Sequence, residues 1–387
     1  MGERTRTRAL VVSRALAARL AAGAPRGEVR RVLVAHNLLL GDTLMLTPLL
    51  AKLRERHPQA QITLLASPAF VPLYQQRPYG VRALPFTPSH SATTRALLEE
   101  SPFDLAIVPG DNRYSWLAAA MRARHIVVHT GTRPLTQEWF VDERRPYPGA
   151  PAAWGDMVAD LVDGADPAAF ASADWKAPEA TPFERPSGRY AVLHVGASTP
   201  LKHWLPERWM ALAMGLEARG LRVAWSAGPG EESFVHAYDP AGRYPSYAGR
   251  LDLAQMWHLL AGAALLVVPD TGIAHLGRVT STPTVALFGP GSAVLAGKGR
   301  FWRAIPWQAL TVEPFPCRDQ KILFAREVEW VRRCARTLAQ CPEPRCMHAI
   351  ALDEVLAAAD RFLIGQPDAV SYVKSMNSEI SPESRST

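Results

Sequence analysis

From residue 32 onward, short apolar runs alternate with longer stretches whose apolar positions fall at helical spacing. The runs "VLVAHN" (32–37), "ITLLASP" (62–68), "VRALPF" (81–86), "FDLAIVPG" (103–110) and "HIVVHT" (125–130) each close on polar or turn-forming residues. That pattern predicts buried strands. Between them, "TLMLTPLLAKLRERHP" (43–58) and "YSWLAAAMRARH" (114–125) predict helices, the first stopping at Pro58. The pattern loosens in a segment rich in Pro, Ala and acids, placed as a linker at 171–188. It then restarts with strands at 189–196, 221–228, 265–270 and 284–289 and a helix over 207–219. Apolar strands alternating with helices imply parallel sheets covered on both faces. The expectation is therefore an α/β chain of two Rossmann-like domains, at 32–170 and 189–347, facing each other across a cleft. A last helix is expected at 351–364, within a C-terminal segment 348–365, followed by a polar, disordered tail at 366–387.

Composition narrows the class. At 387 residues, 48% hydrophobic and 20% charged, the chain has enough apolar material for two packed cores. No apolar run reaches the roughly 18 residues that span a bilayer. Four cysteines are too few for a disulfide scaffold of this size, which favours a reducing, cytoplasmic setting. The net charge of +7 is uneven: residues 1–31 hold eight arginines against Glu3 and Glu28, a balance of +6. The rest is close to neutral, which argues against a general nucleic-acid surface. The stretch "RTRTRALVVSRALAARLAAG" reads either as a basic helix lying on an anionic membrane face or as a solvated N-terminal extension.

Ligands of open parallel sheets bind beyond the carboxyl ends of the strands, where helix N-termini offer unpaired N–H groups. Four loops meet that rule. Gly41-Asp42 opens the helix after the first strand, with Asp42 either a helix cap or a general base. "GASTPLKHWLPERW" (196–209) carries two hydroxyls, Ser198 and Thr199, and a mobile cation, Lys202, suited to phosphate oxygens. In "SAGPGEES" (226–233), Glu231 either caps a helix or accepts bonds from ribose hydroxyls. "LLVVPDTGIAHLG" (265–277) ends a strand at Asp270, begins a helix at Thr271-Gly272, and places His275 one turn on. "GSAVLAGKGR" (291–300) imitates a phosphate loop. Its Gly291 and Gly297 are six apart rather than five, and Gly299 follows the lysine where Ser or Thr is needed.

Taken together, "GDTLMLTPLLAKLRERHPQAQITLLASP", "GASTPLKHWLPERW", "AGPGEE" and "PDTGIAHLGRVTSTPTVALFGP" resemble glycosyltransferase family 9, the ADP-heptose:lipopolysaccharide heptosyltransferases and their relatives. They fall in family order over roughly residues 31–290, with a weaker match through 341–350. The resemblance implies a GT-B fold and a metal-independent, inverting transfer of a sugar, heptose from ADP-heptose, to a lipid-linked saccharide. It implies Asp42 as the catalytic base, Ser198, Thr199 and Lys202 as donor-phosphate contacts, and Glu231 on the ribose. It further implies Asp270 on sugar hydroxyls and the Thr271 and Gly272 amides on the diphosphate. His275, one turn on, either contacts the same donor or holds the turn. An enzyme of this kind is expected in the cytoplasm, peripheral on the inner face of the inner membrane, with no nucleic-acid partner.

His203 departs from the family pattern, which often has arginine there. Cys317, Cys334, Cys341 and Cys346, separated by 16, 6 and 4 residues, contain no C-x-x-C pair; a structural metal held by the four is one reading and plain thiols the other. Two functional alternatives stay open from the residues: a sugar-nucleotide epimerase of similar architecture, and a catalytically degenerate sugar-nucleotide-binding subunit.

Overall fold

A computed structural model describes residues 2–20, 27–100 and 102–364; the tail at 366–387 lies outside the described residues. The chain forms two compact units. One takes in the described residues up to Ala180 together with Pro290–Ile305 and Pro314–Gln340; the other takes in Thr181–Gly289, Pro306–Glu313 and the described residues from Cys341 on. Segments 290–305 and 314–340, read from sequence within the second domain, thus pack with the first unit.

The first unit is built on β1 (Arg31–Val34), β2 (Gln61–Ala66), β3 (Arg82–Pro85), β4 (Phe103–Val108), β5 (Ala123–His129) and β6 (Glu143–Arg145). They form one sheet in the order β3-β2-β1-β4-β5-β6, with every pairing parallel. Val32 of β1 stands beside Ile62 on one side and Leu105 on the other, so the central strand is covered all round. That burial is why its sequence reads as an unbroken apolar run. The predicted helix at 43–58 is two helices, Leu40–Leu44 and Thr47–Arg56. Pro48, in the first turn of the second, cannot sit inside a continuous helix because its ring meets the carbonyl four residues back. The helix predicted at 114–125 stops at Ala120. Arg122 turns the chain at φ +57, and Ala123 enters β5 opposite Phe103.

The basic N-terminal stretch is helical over Glu3–Leu20. It packs on helices Ser91–Glu99 and Tyr114–Ala120, with Ala15 buried and Val11 half-buried in the cluster around Leu117 and Ala118. Its apolar side therefore meets the protein, not solvent alone. No helix among the described residues is long and apolar enough to cross a membrane.

The second unit holds β7 (Tyr190–His194), β8 (Arg222–Ser226), β9 (Leu265–Pro269), β10 (Thr284–Phe288) and β11 (Trp307–Thr311), all parallel, in the order β11-β10-β9-β7-β8. Strand β11 and the helix Leu253–Ala261, started by reciprocal Asp252–Gln255 bonds, were not anticipated from the sequence. The final helix, Leu352–Leu363, lies where the pattern placed it.

Candidate active site

The strand order of the second unit fixes where a ligand can be held. β7 lies between β8 and β9, so the chain leaving β7 turns one way to β8 and then crosses to β9 on the other side. The gap between β7 and β9 is the topological switch point, where two successive loops part and leave a crevice. The loops after β7, β8 and β9 all open at that one sheet edge.

After β7, Thr199 caps the short turn Pro200–Lys202, its Oγ1 accepting from the Leu201 N–H at 3.4 Å. The turn sends Lys202 across to the loop after β9. Its Nζ donates to the Asp270 carbonyl at 2.6 Å and lies 3.0 Å from Asp270 Oδ2. Both side chains are mostly buried, at 22% and 16% exposed, so the pair is screened little by solvent. The two contacts use two of the three ammonium hydrogens, which leaves one for an incoming anion. Ser198 is exposed beside this turn. Thr271 is the cap residue of helix Gly272–Val279, yet its hydroxyl makes no capping bond and Oγ1 is buried without a partner. The first N–H groups of that helix have no intrahelical acceptor. A cation, an unused hydroxyl and a helix N-terminus therefore converge at the switch point, a set of groups chemically suited to an anion.

Glu231 is at the cap position of helix Glu232–Tyr238, but its side chain does not cap it. It folds back so that Oε2 accepts from the Gly228 N–H at 2.7 Å. Gly196, the residue that follows Val195 at the end of β7, makes room for that carboxylate. A Cβ there would stand 1.9 Å from Glu231 Oε2. The sequence reading did not single out Gly196, because the contact it permits is with a residue 35 positions away.

The two histidines of the site carry no charge into it. His275 is buried, at 4% exposed, with Nδ1 unpartnered. Burial holds its pKa well below the ordinary value, reinforced by the Arg278 and Lys202 charges. His203 stands edge-on to Phe234 at 4.4 Å, and burial lowers its pKa against the opposing pull of Glu231. Where the resemblance leads one to look for an arginine, this chain has a neutral ring packed on an aromatic.

In the first unit, Gly41 and Asp42 lie inside helix Leu40–Leu44, whose cap residue is Leu39. Asp42 is thus the third residue of the helix, not its cap. It is half-buried, and its charge sits in the first turn, where the helix dipole favours an anion. The helix is held from behind by Tyr74, whose hydroxyl donates to the Thr43 carbonyl at 3.1 Å. In the preceding loop, His36 Nδ1 accepts from the Leu38 N–H at 3.2 Å, and burial takes its pKa down to about 3.

The cysteines divide. Cys317 and Cys334 neighbour one another in the first unit; burial, and then Cys317, push the Cys334 thiol up. Among the described residues no three His, Cys, Asp or Glu side chains gather as a metal site requires, so the four-cysteine cluster is not formed there.

Comparison with known proteins agrees with this geometry. The family model described as glycosyltransferase family 9 (heptosyltransferase) matches residues 98–310, more than half of the chain. Lipopolysaccharide heptosyltransferase 1 of Pseudomonas aeruginosa is 26% identical over 293 residues, 67% of this chain and 79% of that protein. The structure of the E. coli ADP-heptose lipopolysaccharide heptosyltransferase II superposes with a TM-score of 0.64 at 18% identity, covering 87% of this chain and 98% of that one. The E. coli heptosyltransferase WaaC with ADP-2-deoxy-2-fluoro heptose gives 0.58 at 20% identity, covering 73% and 93%. The fold is GT-B, as the resemblance to the family implied.

Proposed function

The chain belongs to glycosyltransferase family 9, and we propose that it transfers heptose from ADP-heptose to a lipopolysaccharide-core saccharide, with inversion and without a catalytic metal. The observation that carries the reading is the Lys202 ammonium on Asp270 at the switch point, beside the free end of helix Gly272–Val279. As the glycosidic bond breaks, the leaving ADP gains negative charge on its diphosphate. Lys202 and the Thr271 and Gly272 amides meet that charge as it develops and so favour the transition state over the ground state. Ser198 and Thr199 add hydroxyl contacts to the same phosphates. Asp270, already bonded to Lys202 through Oδ2, keeps its other carboxylate oxygen for a donor-sugar hydroxyl. Glu231, held by Gly228, is oriented to accept from the ribose hydroxyls. His275 supports the turn as a neutral ring.

An acceptor hydroxyl is a poor nucleophile until its proton is removed as the bond forms. Asp42 is the base in this reading. A positive side chain and a helix end supply the charge that a divalent ion supplies in other transferases, so turnover is expected to persist in EDTA. The acceptor is lipid-linked, and the enzyme works at the cytoplasmic face of the inner membrane. Calorimetric titration with ADP-, UDP- and GDP-sugars tests the donor: the ADP-sugar should bind tightest. A preference for another base would remove the heptosyl assignment and leave the fold untouched.

A further inference from the structure

We propose that Arg278, buried inside the second unit, supplies a fixed positive charge to the diphosphate edge, and that Trp307 positions it there. The proposal rests on the reading of that edge as the donor-diphosphate site.

Arg278 is 1% exposed, in the last turn of helix Gly272–Val279. Taking a guanidinium out of water is costly, and arginine does not shed its proton to escape that cost. The packing that holds it is local. Gly277 lets the helix lie close on the sheet: a Cβ there would stand 2.6 Å from Leu266 Cδ2 and 2.7 Å from Thr284 Oγ1. The next residue, Arg278, reaches the neighbouring strand β11, where Trp307 stands in register with Thr284. Its Cζ lies 4.1 Å from the centre of the Trp307 ring, a cation–π contact that gains strength away from water. The same indole donates through Nε1 to the Ala274 carbonyl at 3.1 Å. Trp307 therefore fixes both the guanidinium and the helix turn before it.

That arrangement aims the charge at the ligand edge. Side chains on a helix lean toward its N-terminus. The Trp307–Ala274 bond shows the same direction, since the ring beneath the guanidinium lies beside the turn of Ala274. One residue on, burial lowers the His275 pKa first, and Arg278 and then Lys202 lower it further, so both charges act on one ring. The C-terminal end of the helix is already capped. The Leu276 and Gly277 carbonyls accept from the Thr280 hydroxyl, and those of Gly277 and Arg278 from the Thr282 and Ser281 N–H groups. Ahead of the guanidinium lie Ile273, Ala274 and His275, all buried, and then the helix N-terminus. Arg278 and Gly272 are about 9 Å apart at 1.5 Å rise per residue, and the leaning side chain shortens that span. Over such a distance, with little water between, a unit charge changes the affinity for a multiply charged anion by about tenfold. Lys202 meets the anion at the mouth of the site, and Arg278 acts on it through space from beneath.

The test is calorimetric titration of the full chain with adenosine, AMP and ADP, for wild type, Arg278→Met and Arg278→Lys. Methionine fills similar space without the charge. The gain in affinity from adenosine to ADP should shrink about tenfold in Arg278→Met, and the gain from adenosine to AMP by less, with adenosine itself unmoved. Arg278→Lys should keep most of the gain. The Tm of Arg278→Met should hold or rise, because an apolar side chain replaces a buried charge. Should that variant not fold, Arg278→Gln takes its place in the same series. If the donor titration selects another base, that nucleoside and its phosphates are used. An unchanged gain in Arg278→Met overturns the proposal. So does equal weakening of all three ligands, which is what a residue that only held the fold would produce, or a lysine variant that binds no better than the methionine one. Each of those outcomes leaves the diphosphate reading standing. A wild type that gains nothing from added phosphates would overturn that reading and this proposal together.

Discussion

Gly196→Ala is the substitution whose outcome follows most directly from coordinates. An added Cβ would lie 1.9 Å from Glu231 Oε2 and 2.8 Å from its Cδ, distances no packed carbon tolerates. The nearest backbone atom, the Gly228 nitrogen, is at 3.1 Å and needs to give only slightly. The carboxylate must therefore leave, which breaks its 2.7 Å bond from the Gly228 N–H and takes it from the position proposed for the ribose hydroxyls. A hydrogen bond to a charged group contributes about 1.5–3 kcal/mol. At about 1.4 kcal/mol per tenfold, ADP binding should weaken roughly ten- to a hundredfold. The assay is a double-mutant cycle: the Kd for ADP of wild type, Gly196→Ala, Glu231→Ala and the double variant. If the glycine exists to seat the carboxylate, Gly196→Ala should add little once Glu231 is alanine. An equal penalty in both backgrounds would refute the reasoning, because the methyl would then act on something other than Glu231.

Two more outcomes follow. Lys202→Met removes the charge opposite the leaving diphosphate, and kcat should fall by about 10²–10³, as measured by initial rates at saturating donor. A fall in donor affinity alone would assign the lysine to ground-state binding. The buried histidines set an acid limit on stability. Burial takes His36 and His129 down to about 3 and His194 to about 4, while the unfolded chain titrates near 6.5. The unfolded state therefore binds more protons below that value, and each histidine withdraws about 1.4 kcal/mol per pH unit as pH falls from 6.5 toward its folded pKa. Urea unfolding of His194→Gln at pH 6.5 and 5 should lose one histidine's share of that slope; an unchanged slope would mean His194 does not titrate on unfolding.

The strands and the loops beyond them were legible because buried parallel strands announce themselves as apolar runs, and "VLHVG", "AWSAG" and "LVVPDTG" each end where the ligand edge must be. What stayed hidden was non-local. Gly196 looks like any turn glycine until Glu231 folds onto it. Edge strand β11 is only half covered along Gln308–Thr311, so its apolar signal is weak. The return of 290–305 and 314–340 to the first unit leaves no periodic trace. Arg326 shows why that return is stable: its guanidinium reaches the carbonyls of Gly110, His129 and Thr130 and the side chain of Asn112. In the N-terminal helix Val11 and Ala15 pack inward, while Val12 and Leu16 are exposed at 41% and 50%.

In the proposed reaction Asp42 removes the acceptor proton during sugar transfer from ADP-heptose. The direct measurement compares wild type and Asp42→Asn for heptosyl transfer to lipopolysaccharide core acceptor, alongside the Kd for ADP. With Asp42 as the base, kcat should fall by about 10²–10⁴ with ADP binding unchanged. Turnover at the wild-type rate, with donor binding intact, would contradict it.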